Sequence, residues 1–246
     1  MTHSLPLRER IQAVEQATSA LALLEATRAL ADLLASRPSA GDAGGDGPGA
    51  VVPAEADHQA DAIACLVQVL GFNNPGAAVA AVDGLIALGA DAVEPLLSRL
   101  DPRNYGARAW AVRALAGIGD VRGLELLEEA LATDVGPSVR RAAACGLGHL
   151  QLEPLEAGQR LQVRARALEA LVAGCRDGEW VVRYAVAVGL EALVRRMDPL
   201  PPESQRAVSA LQALAEPERE ETPVVRLRAS MACSRLLDGP PPPLTP

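Results

Sequence analysis

The chain has 246 residues, a formal net charge of −8, and only two Trp, two Tyr and one Phe. So few aromatic side chains argue against a β-sandwich or barrel core, whereas the many Ala and Leu residues favour helices, in which they lose little rotamer freedom. All 23 basic residues are Arg, and their spread along an acidic chain argues against a nucleic-acid-binding protein, which needs a concentrated basic face.

Three further features bear on the cellular location. The sequence shows no run of about 18 uninterrupted apolar residues, so no membrane insertion is expected. The N-terminal residues lack the basic-then-apolar order of a secretory signal. The four cysteines lie far apart without a CxxC pair, which argues against a disulfide framework or a zinc ribbon. We therefore expect a cytoplasmic protein without a metal site.

Both ends of the chain differ from its middle. Residues 1–36 show helical spacing, with Thr18 and Ser19 as a candidate N-cap, and are expected to pack on the rest as extra helices. Residues 37–56, "RPSAGDAGGDGPGAVVPAEA", contain too little apolar surface to offset their ordering entropy, which predicts a flexible insert. The proline-rich residues 239–246 are predicted to be a disordered tail.

Residues 57–238 repeat one pattern. Five Ala-rich helical segments share it, and they begin at Asn73, Asn104, Val135, Asp177 and Glu221. Each is preceded by another amphipathic segment, so the unit is a helix pair of about 30–45 residues, the period of an α-solenoid. The variable period favours HEAT-like repeats over tetratricopeptide repeats. The sequence therefore predicts an all-α fold, an α-solenoid of about five HEAT-like helix pairs with additional N-terminal helices.

One arginine recurs at an equivalent position of four Ala-rich helices: Arg108, Arg140, Arg183 and Arg226. With this arginine as position zero, apolar or small residues recur at −1, +2, +3, +6, +7 and +10, which form one buried face of a helix. A charge that returns once per repeat is typical of an Arg–carboxylate ladder between repeats. Candidate acids near the loops are Asp101, Asp120, Asp134 and Asp177. Ligand binding by the same arginines is the alternative.

A second row lies beside the buried face, at positions −3, +1 and +5. Its larger members are Tyr105, Arg113, Arg141, Trp180 and Tyr184. Second helices of solenoid repeats commonly line a concave surface, so we expect this row to face a groove. Aromatic and Arg side chains are frequent anchors of interfaces. Trp110 lies at +2 and its periodicity favours a core position.

Sequence signatures of catalysis are sparse. The chain contains no GxSxG, HExxH, P-loop or Gly-rich dinucleotide motif. Cys145 and His149 lie one helical turn apart and could form a nucleophile–base pair, but no third group is in view to orient the histidine. A small, half-buried thiol is the alternative for Cys145. The sequence therefore offers one candidate reactive thiol and identifies no catalytic residue.

The blocks "GFNNPGAAVAAVDGLIALG", "NYGARAWAVRALAGIGD", "SVRRAAACGLGHL" and "EWVVRYAVAVGLEAL" resemble the phycobilisome lyase HEAT-like repeat family. They are most similar to the F-type subunit of the heterodimeric E/F bilin lyase, over roughly residues 61–196. The resemblance implies a subunit that acts with an E-type partner to attach an open-chain tetrapyrrole to a cysteine of a phycobiliprotein α subunit. Some relatives also isomerise the bilin. The bilin is then a substrate, and no tightly bound cofactor is expected.

The resemblance also assigns a bilin- and partner-binding groove to residues in the matching blocks. These are Tyr105, Arg108, Trp110, Arg113, Arg141, Trp180, Arg183 and Tyr184. Aromatic rings can stack on the conjugated face of a bilin, and arginines can pair with its propionates. Other members of the repeat family are not lyases, and solenoids host many functions. A non-enzymatic adaptor for phycobilisome turnover or iron–sulfur cluster handling is therefore the alternative function.

Overall fold

The computed structural model describes residues 7–36, 53–99, 103–195 and 204–237, and these contain helices but no strand. The helices are α1 (Leu7–Glu15), α2 (Ala20–Ala35), α3 (Pro53–Val69), α4 (Pro75–Leu88), α5 (Val93–Ser98), α6 (Tyr105–Ile118), α7 (Leu124–Thr133), α8 (Pro137–Gly148), α9 (Ala157–Gly174), α10 (Trp180–Arg195), α11 (Ser204–Ala215) and α12 (Pro223–Leu237), with 3-10 turns at Gly89–Ala92 and Val121–Gly123. The predicted all-α solenoid is confirmed.

The chain divides into two compact units, Met1–Ile118 and Gly119–Pro246, here called unit 1 and unit 2. In unit 1, α1 packs against α3, while α2 lies along α4, which packs in turn on α6. The N-terminal helices therefore form a further helix pair at the start of the repeat series. In unit 2, α8, α10 and α12 lie side by side, and α7, α9 and α11 pack behind them.

The predicted boundaries differ from the observed elements in one place. Helix α3 begins at Pro53, inside the stretch of residues 37–56 that the sequence assigns to a flexible insert. The earlier part of that stretch and the proline-rich residues 239–246 lie outside the described residues.

Two asparagines connect successive repeats of unit 1. Asn74 caps α4 by accepting the Ala77 N–H at 3.1 Å, and its amide donates to the Ala20 carbonyl at 2.9 Å. In the next repeat, the Asn104 side chain accepts the Ala107 N–H at 3.0 Å and donates to the Gly71 carbonyl at 3.3 Å. Each side chain satisfies an orphan N–H of its own helix and ties that helix to the preceding repeat. At the predicted N-cap of α2, Ser19 accepts the Ala22 N–H at 3.1 Å.

Helix α4, the following turn and α5 form one segment, Pro75–Ser98, whose length and mean hydropathy would suffice to cross a membrane. The search for an uninterrupted apolar run overlooks it because Asp83 and Asp91 interrupt the segment. Half of its apolar 18-residue window is buried within the protein, and α4 packs between α2 and α6. Its apolar side chains therefore serve the core of unit 1.

Helices α8 and α10 approach each other backbone to backbone. A Cβ added to Gly148 would lie 2.4 Å from the Cα of Gly189, and a Cβ added to Gly189 would lie 2.5 Å from the carbonyl oxygen of Ala144. Main-chain atoms cannot rotate aside as a flexible side chain can. Glycine at these two positions therefore sets the separation of the two helices.

An arginine–carboxylate ladder links the repeats of unit 2, as the repeat pattern predicts. Arg140 donates from Nε and Nη2 to the two carboxylate oxygens of Asp177, at 2.7 and 2.9 Å. One repeat later, Arg183 donates in the same way to Glu220, at 2.6 and 2.8 Å. Such bidentate, charge-assisted pairs are among the stronger hydrogen bonds in proteins.

The ladder arginines also donate hydrogen bonds to main-chain carbonyls of the loop before their own helix. Nη1 of Arg140 donates to the carbonyls of Asp134 and Val135, at 2.9 and 3.3 Å. In the last repeat, Nη1 of Arg226 donates to the carbonyls of Glu220 and Glu221, at 2.7 and 2.9 Å. One guanidinium therefore organises two consecutive loops.

The ladder acids hold backbone N–H groups as well. Glu220 accepts the Thr222 N–H at 2.8 Å, and the hydrogen bond from Arg183 is the largest of the effects that lower the pKa of this carboxyl. Burial raises the pKa of Asp177, but hydrogen bonds from Arg140 and from the Glu179 N–H outweigh it, so the net pKa is lowered. Both acids are therefore ionised in the folded protein at neutral pH.

Among the predicted ladder acids, Asp177 is confirmed as a partner. Asp120 pairs with Arg122 at 2.8 Å, and the Asp134 carboxylate accepts the Gly136 N–H at 2.8 Å. Asp101 lies outside the described residues. Glu220 is absent from the prediction, which considers only aspartates.

We expect Gly189→Ala to lower the free energy of unfolding by about 3 kcal/mol, because the new methyl group would overlap fixed main-chain atoms. Gly158→Ala in α9 is the matched control, since a Cβ there meets nothing within 4 Å and should leave stability unchanged or slightly raised. Urea unfolding followed by circular dichroism measures both. Equal midpoints for the two variants would contradict the close backbone contact.

We expect Glu220→Gln to cost about 3 kcal/mol, because it leaves the guanidinium of Arg183, which is 13% exposed, without its charged partner. Glu216→Gln, four residues earlier, is the control: its pair with Arg219 is 49% and 66% exposed, and exposed pairs contribute at most about 1 kcal/mol. The same urea titration compares them. If the ladder does not stabilise the protein, both variants will show the same small loss in free energy of unfolding.

The ladder also predicts acid sensitivity. The pKa of Glu220 is lowered on folding, so its stabilisation is present above the ordinary glutamate value of 4.5 and is lost as pH falls through the folded pKa. Below about pH 4.5, the unfolding midpoint of the wild-type chain should therefore fall more steeply than that of Glu220→Gln. Parallel pH profiles would show that this carboxylate does not contribute.

Candidate functional site

In unit 1, helix α6 carries four of the predicted groove residues. Tyr105 is 78% exposed and Arg113 is exposed, whereas Arg108 and Trp110 are half-buried. The guanidinium carbon of Arg113 lies 5.8 Å from the centroid of the Trp110 ring, within the range of a cation–π contact. Trp110 therefore lies at the margin of the core, although its periodicity favours full burial.

In unit 2, one face of α10 carries the aromatic residues. Trp180, Tyr184 and Val188 follow each other at four-residue intervals, which places them on one side of the helix. Trp180 is 47% exposed, and the other two are half-buried. Glu191 follows Val188 by three residues and Arg195 follows Glu191 by four, so both lie on the same side towards the end of the helix. These five residues are called the α10 face.

The helices beside α10 extend this surface. On α8, Arg141 is exposed and Cys145 is half-buried. On α12, Leu227 and Met231 are 62% and 41% exposed. Both helices pack against α10. In unit 2, the row at −3, +1 and +5 is thus accessible, as the sequence predicts, and it offers aromatic, apolar and cationic side chains on adjacent helices.

Arg183 is predicted in two roles, as a ladder residue by the repeat pattern and as a groove residue by the resemblance. The structure places its guanidinium in the ladder. Its nitrogens reach both Glu220 oxygens and, at 2.8 and 3.2 Å, the carbonyls of Asp177 and Gly178. With these donors engaged, it has little capacity left for a ligand.

The cysteine thiols are not activated. Burial is the main cause that raises the pKa of Cys145, and Arg141 only partly opposes it. Burial likewise raises the pKa of Cys175 to about 12 and, with a contribution from Glu15, that of Cys65 to about 11. Because the thiolate is the nucleophilic form, these thiols are poor nucleophiles at neutral pH.

The other member of the Cys145–His149 pair is held by its own helix. Nδ1 of His149 donates to the main-chain carbonyl of Cys145 at 2.8 Å. That nitrogen therefore carries its proton in a hydrogen bond to the helix backbone, which leaves Nε2 as the ring nitrogen that can accept a proton.

A charged cluster at the end of the α10 face is not among the predicted site residues. Its centre is Glu191, at position +8, where the equivalent residues of the other repeats are small: Ala116, Gly148 and Ser234. A lone carboxylate at a position occupied elsewhere by small residues is the signal that could have identified it. Its partners on α12, Arg228 and Arg235, carry no such signal.

The chain is similar in sequence to HEAT-repeat proteins and to proteins of bilin attachment. Residues 63–148 match the family described as HEAT repeats. The bilin biosynthesis protein RpcF of a Synechococcus species is 51% identical over 176 residues, which cover 72% of this chain and 81% of that protein. The phycocyanin alpha phycocyanobilin lyase CpcF of a Synechocystis species is 47% identical over 186 residues, or 76% of each chain.

A solved structure of a related protein has a similar fold. In the complex of CpcE and CpcF of phycocyanin lyase from a Nostoc species, one chain is 43% identical to this protein and superimposes with a TM-score of 0.62. The match covers 70% of this chain and 98% of that one. The identity, the coverage and the shared repeat architecture lead to one conclusion: the chain belongs to the family of HEAT-repeat bilin lyase subunits that includes RpcF and CpcF.

Proposed function

We propose that this chain is one subunit of a heterodimeric bilin lyase, which attaches an open-chain tetrapyrrole to a cysteine of a phycobiliprotein α subunit in the cytoplasm. The observation that carries the proposal is its 47% identity to the lyase CpcF over three quarters of both chains. The likeness to a chain of the CpcE–CpcF complex supports an E-type subunit as the partner.

The attachment reaction is compatible with a subunit that positions the reactants and does not itself supply the nucleophile. In the attachment step, the thiolate of the acceptor protein adds to a carbon–carbon double bond of the bilin, a C–S bond forms, and a proton is added to the adjacent carbon. The acceptor supplies the nucleophile, so the lyase mainly has to position the reactants and control protonation. Burial raises the pKa of Cys145 and Cys175, which makes the chain's own thiols weaker nucleophiles than an ordinary cysteine.

The accessible surface of unit 2 has the properties that a bilin requires. The partly exposed ring of Trp180 and the half-buried ring of Tyr184 offer faces for stacking on a conjugated tetrapyrrole. Arg141 on the neighbouring α8 is exposed. In unit 1, Tyr105 and the Arg113–Trp110 pair provide groups of the same kind. The α10 face is therefore the proposed bilin-binding surface of unit 2.

The test is chromophore attachment in a heterologous host. The chain is co-expressed with an E-type subunit, a phycocyanobilin-producing pathway and an apo-phycocyanin α subunit, and covalent bilin is read as fluorescence on a denaturing gel. We expect Trp180→Ala combined with Tyr184→Ala to lower attachment about tenfold, since each stacking contact contributes about 0.5–1.5 kcal/mol beyond its buried area. Leu161→Ala, an equally accessible position on α9 at 56% exposure, should attach bilin normally.

Two results would count against the proposal in different ways. Normal attachment by the doubly substituted chain would show that the α10 face is not the bilin-binding surface. Absence of attachment with the wild-type chain, when the E-type subunit and acceptor are shown to be competent, would favour an adaptor that binds its partners without forming a covalent product.

A further inference from the structure

A buried carboxylate on α10 gathers three arginines. Glu191 is 3% exposed. Nη2 of Arg228 lies 2.6 Å from its Oε2, while Nη1 of Arg195 and Nη1 of Arg235 lie 3.5 and 3.3 Å from its Oε1. Three positive charges thus face one negative charge, which leaves the cluster, counted over the described residues, with a positive excess in a chain whose net charge is −8.

The three arginines are not equivalent. The Arg228 side chain is 11% exposed and makes the closest contact, so it is the one that neutralises Glu191. Arg195 and Arg235 are 53% and 45% exposed and share one carboxylate oxygen at longer distances. Both side chains are therefore accessible to solvent. A cation at the end of α10 is favoured by the helix dipole, but that explains one arginine and not three.

The cluster also contains more hydrogen-bond donors than acceptors. Each guanidinium has several N–H groups and no acceptor, whereas one carboxylate offers two oxygens. In the buried part of the cluster, Nη1 of Arg228 and Oε2 of Glu191 both lack a hydrogen-bond partner, although Oε2 lies 2.6 Å from Nη2 of Arg228. The cluster has a surplus of positive charge, and two of its three guanidiniums are accessible. Such a site is suited to bind carboxylates.

The cluster lies on the surface already proposed for the bilin. Glu191 and Arg195 belong to the α10 face, and Arg235 reaches it from α12. Seven residues separate Tyr184 from Glu191, which corresponds to roughly 10 Å along a helix. The distance from Tyr184 to Glu191 is therefore roughly half the length of an extended linear tetrapyrrole.

We propose that Arg195 and Arg235 bind the two propionates of the bilin, and that Glu191 and Arg228 are positioning residues that hold these two guanidiniums at the surface. The inference rests on the proposed function and identifies the part of the substrate that this end of the site recognises. The propionates occupy the two middle rings of a linear tetrapyrrole, so an outer ring extends along α10 towards Tyr184. Two negative charges thereby meet the two accessible positive ones.

The test compares phycocyanobilin with its dimethyl ester, which keeps the conjugated system and removes both charges. Binding of each to the complex of this chain with its E-type subunit is followed by bilin absorbance. We expect Arg195→Gln combined with Arg235→Gln to weaken binding of the free acid at least about tenfold, from the loss of two charge-assisted pairs. Binding of the ester should stay within about twofold of the wild type.

The control removes the same charge elsewhere in unit 2. Arg166 and Arg219 are 54% and 66% exposed and each pairs with a glutamate, so Arg166→Gln combined with Arg219→Gln should bind acid and ester as the wild type does. An equal loss for acid and ester in the Arg195/Arg235 variant would overturn the proposal, as would no loss for either. Weaker binding of the acceptor protein with unchanged bilin binding would also overturn it and assign the cluster to acidic side chains of that partner.

The attachment assay with wild-type protein separates this inference from the proposed function. If the wild-type complex attaches bilin but the Arg195/Arg235 variant distinguishes acid from ester as the wild type does, only the propionate site is wrong. If the wild-type complex neither binds nor attaches bilin, the proposed function fails and the propionate site fails with it.

Discussion

The main-chain contact between α8 and α10 is the constraint on which unit 2 depends. Gly148 and Gly189 let the two helices meet without an intervening side chain. At this separation Arg140, on α8, reaches both carboxylate oxygens of Asp177, in the loop before α10, with the Nε–Nη2 edge of its guanidinium. A wider spacing would break that bidentate geometry and would separate Arg141 on α8 from the α10 face. The small residues of the second helices are therefore a requirement for the ladder and for the adjoining surface.

Arginine serves three physical roles in this protein, and burial together with available acceptors distinguishes them. Arg140 and Arg183 are mostly buried and face one carboxylate each, so their charge is neutralised within the protein. Arg113 lies over an aromatic ring. Arg195 and Arg235 are half exposed and share an oxygen with each other. The last arrangement leaves positive charge accessible to a ligand, and it lies on the surface proposed to bind the bilin.

Features with a short period could be predicted from the sequence. The helix pairs, the buried face and the ladder arginines each recur once per repeat, and the accessible row follows from the geometry of one helix. The place of the N-terminal helices in the repeat series could not be predicted in this way, because it depends on long-range contacts: α2 packs along α4, and Asn74 donates to the distant Ala20 carbonyl. The partial burial of Trp110 could not be predicted either. A large ring at the edge of a buried face can be covered by one neighbouring side chain, here Arg113, rather than by the core.

The charged cluster lies beyond sequence reasoning for a related reason. Glu191 and Arg235 are separated by 44 residues, and they meet only because α10 and α12 pack side by side. Their positions in the repeat differ, so periodicity does not associate them. The resemblance to bilin lyases likewise directs attention to Arg183, whose guanidinium the ladder engages, and away from the arginines that remain accessible.

The most direct test of this account is a crystal structure of the chain bound to its E-type subunit and phycocyanobilin. We expect propionate oxygens within hydrogen-bonding distance of Arg195 and Arg235, about 2.7–3.2 Å, and a pyrrole ring against Tyr184 on the α10 face. A bilin held entirely by the partner subunit, or one whose propionates point into solvent away from α10, would contradict it.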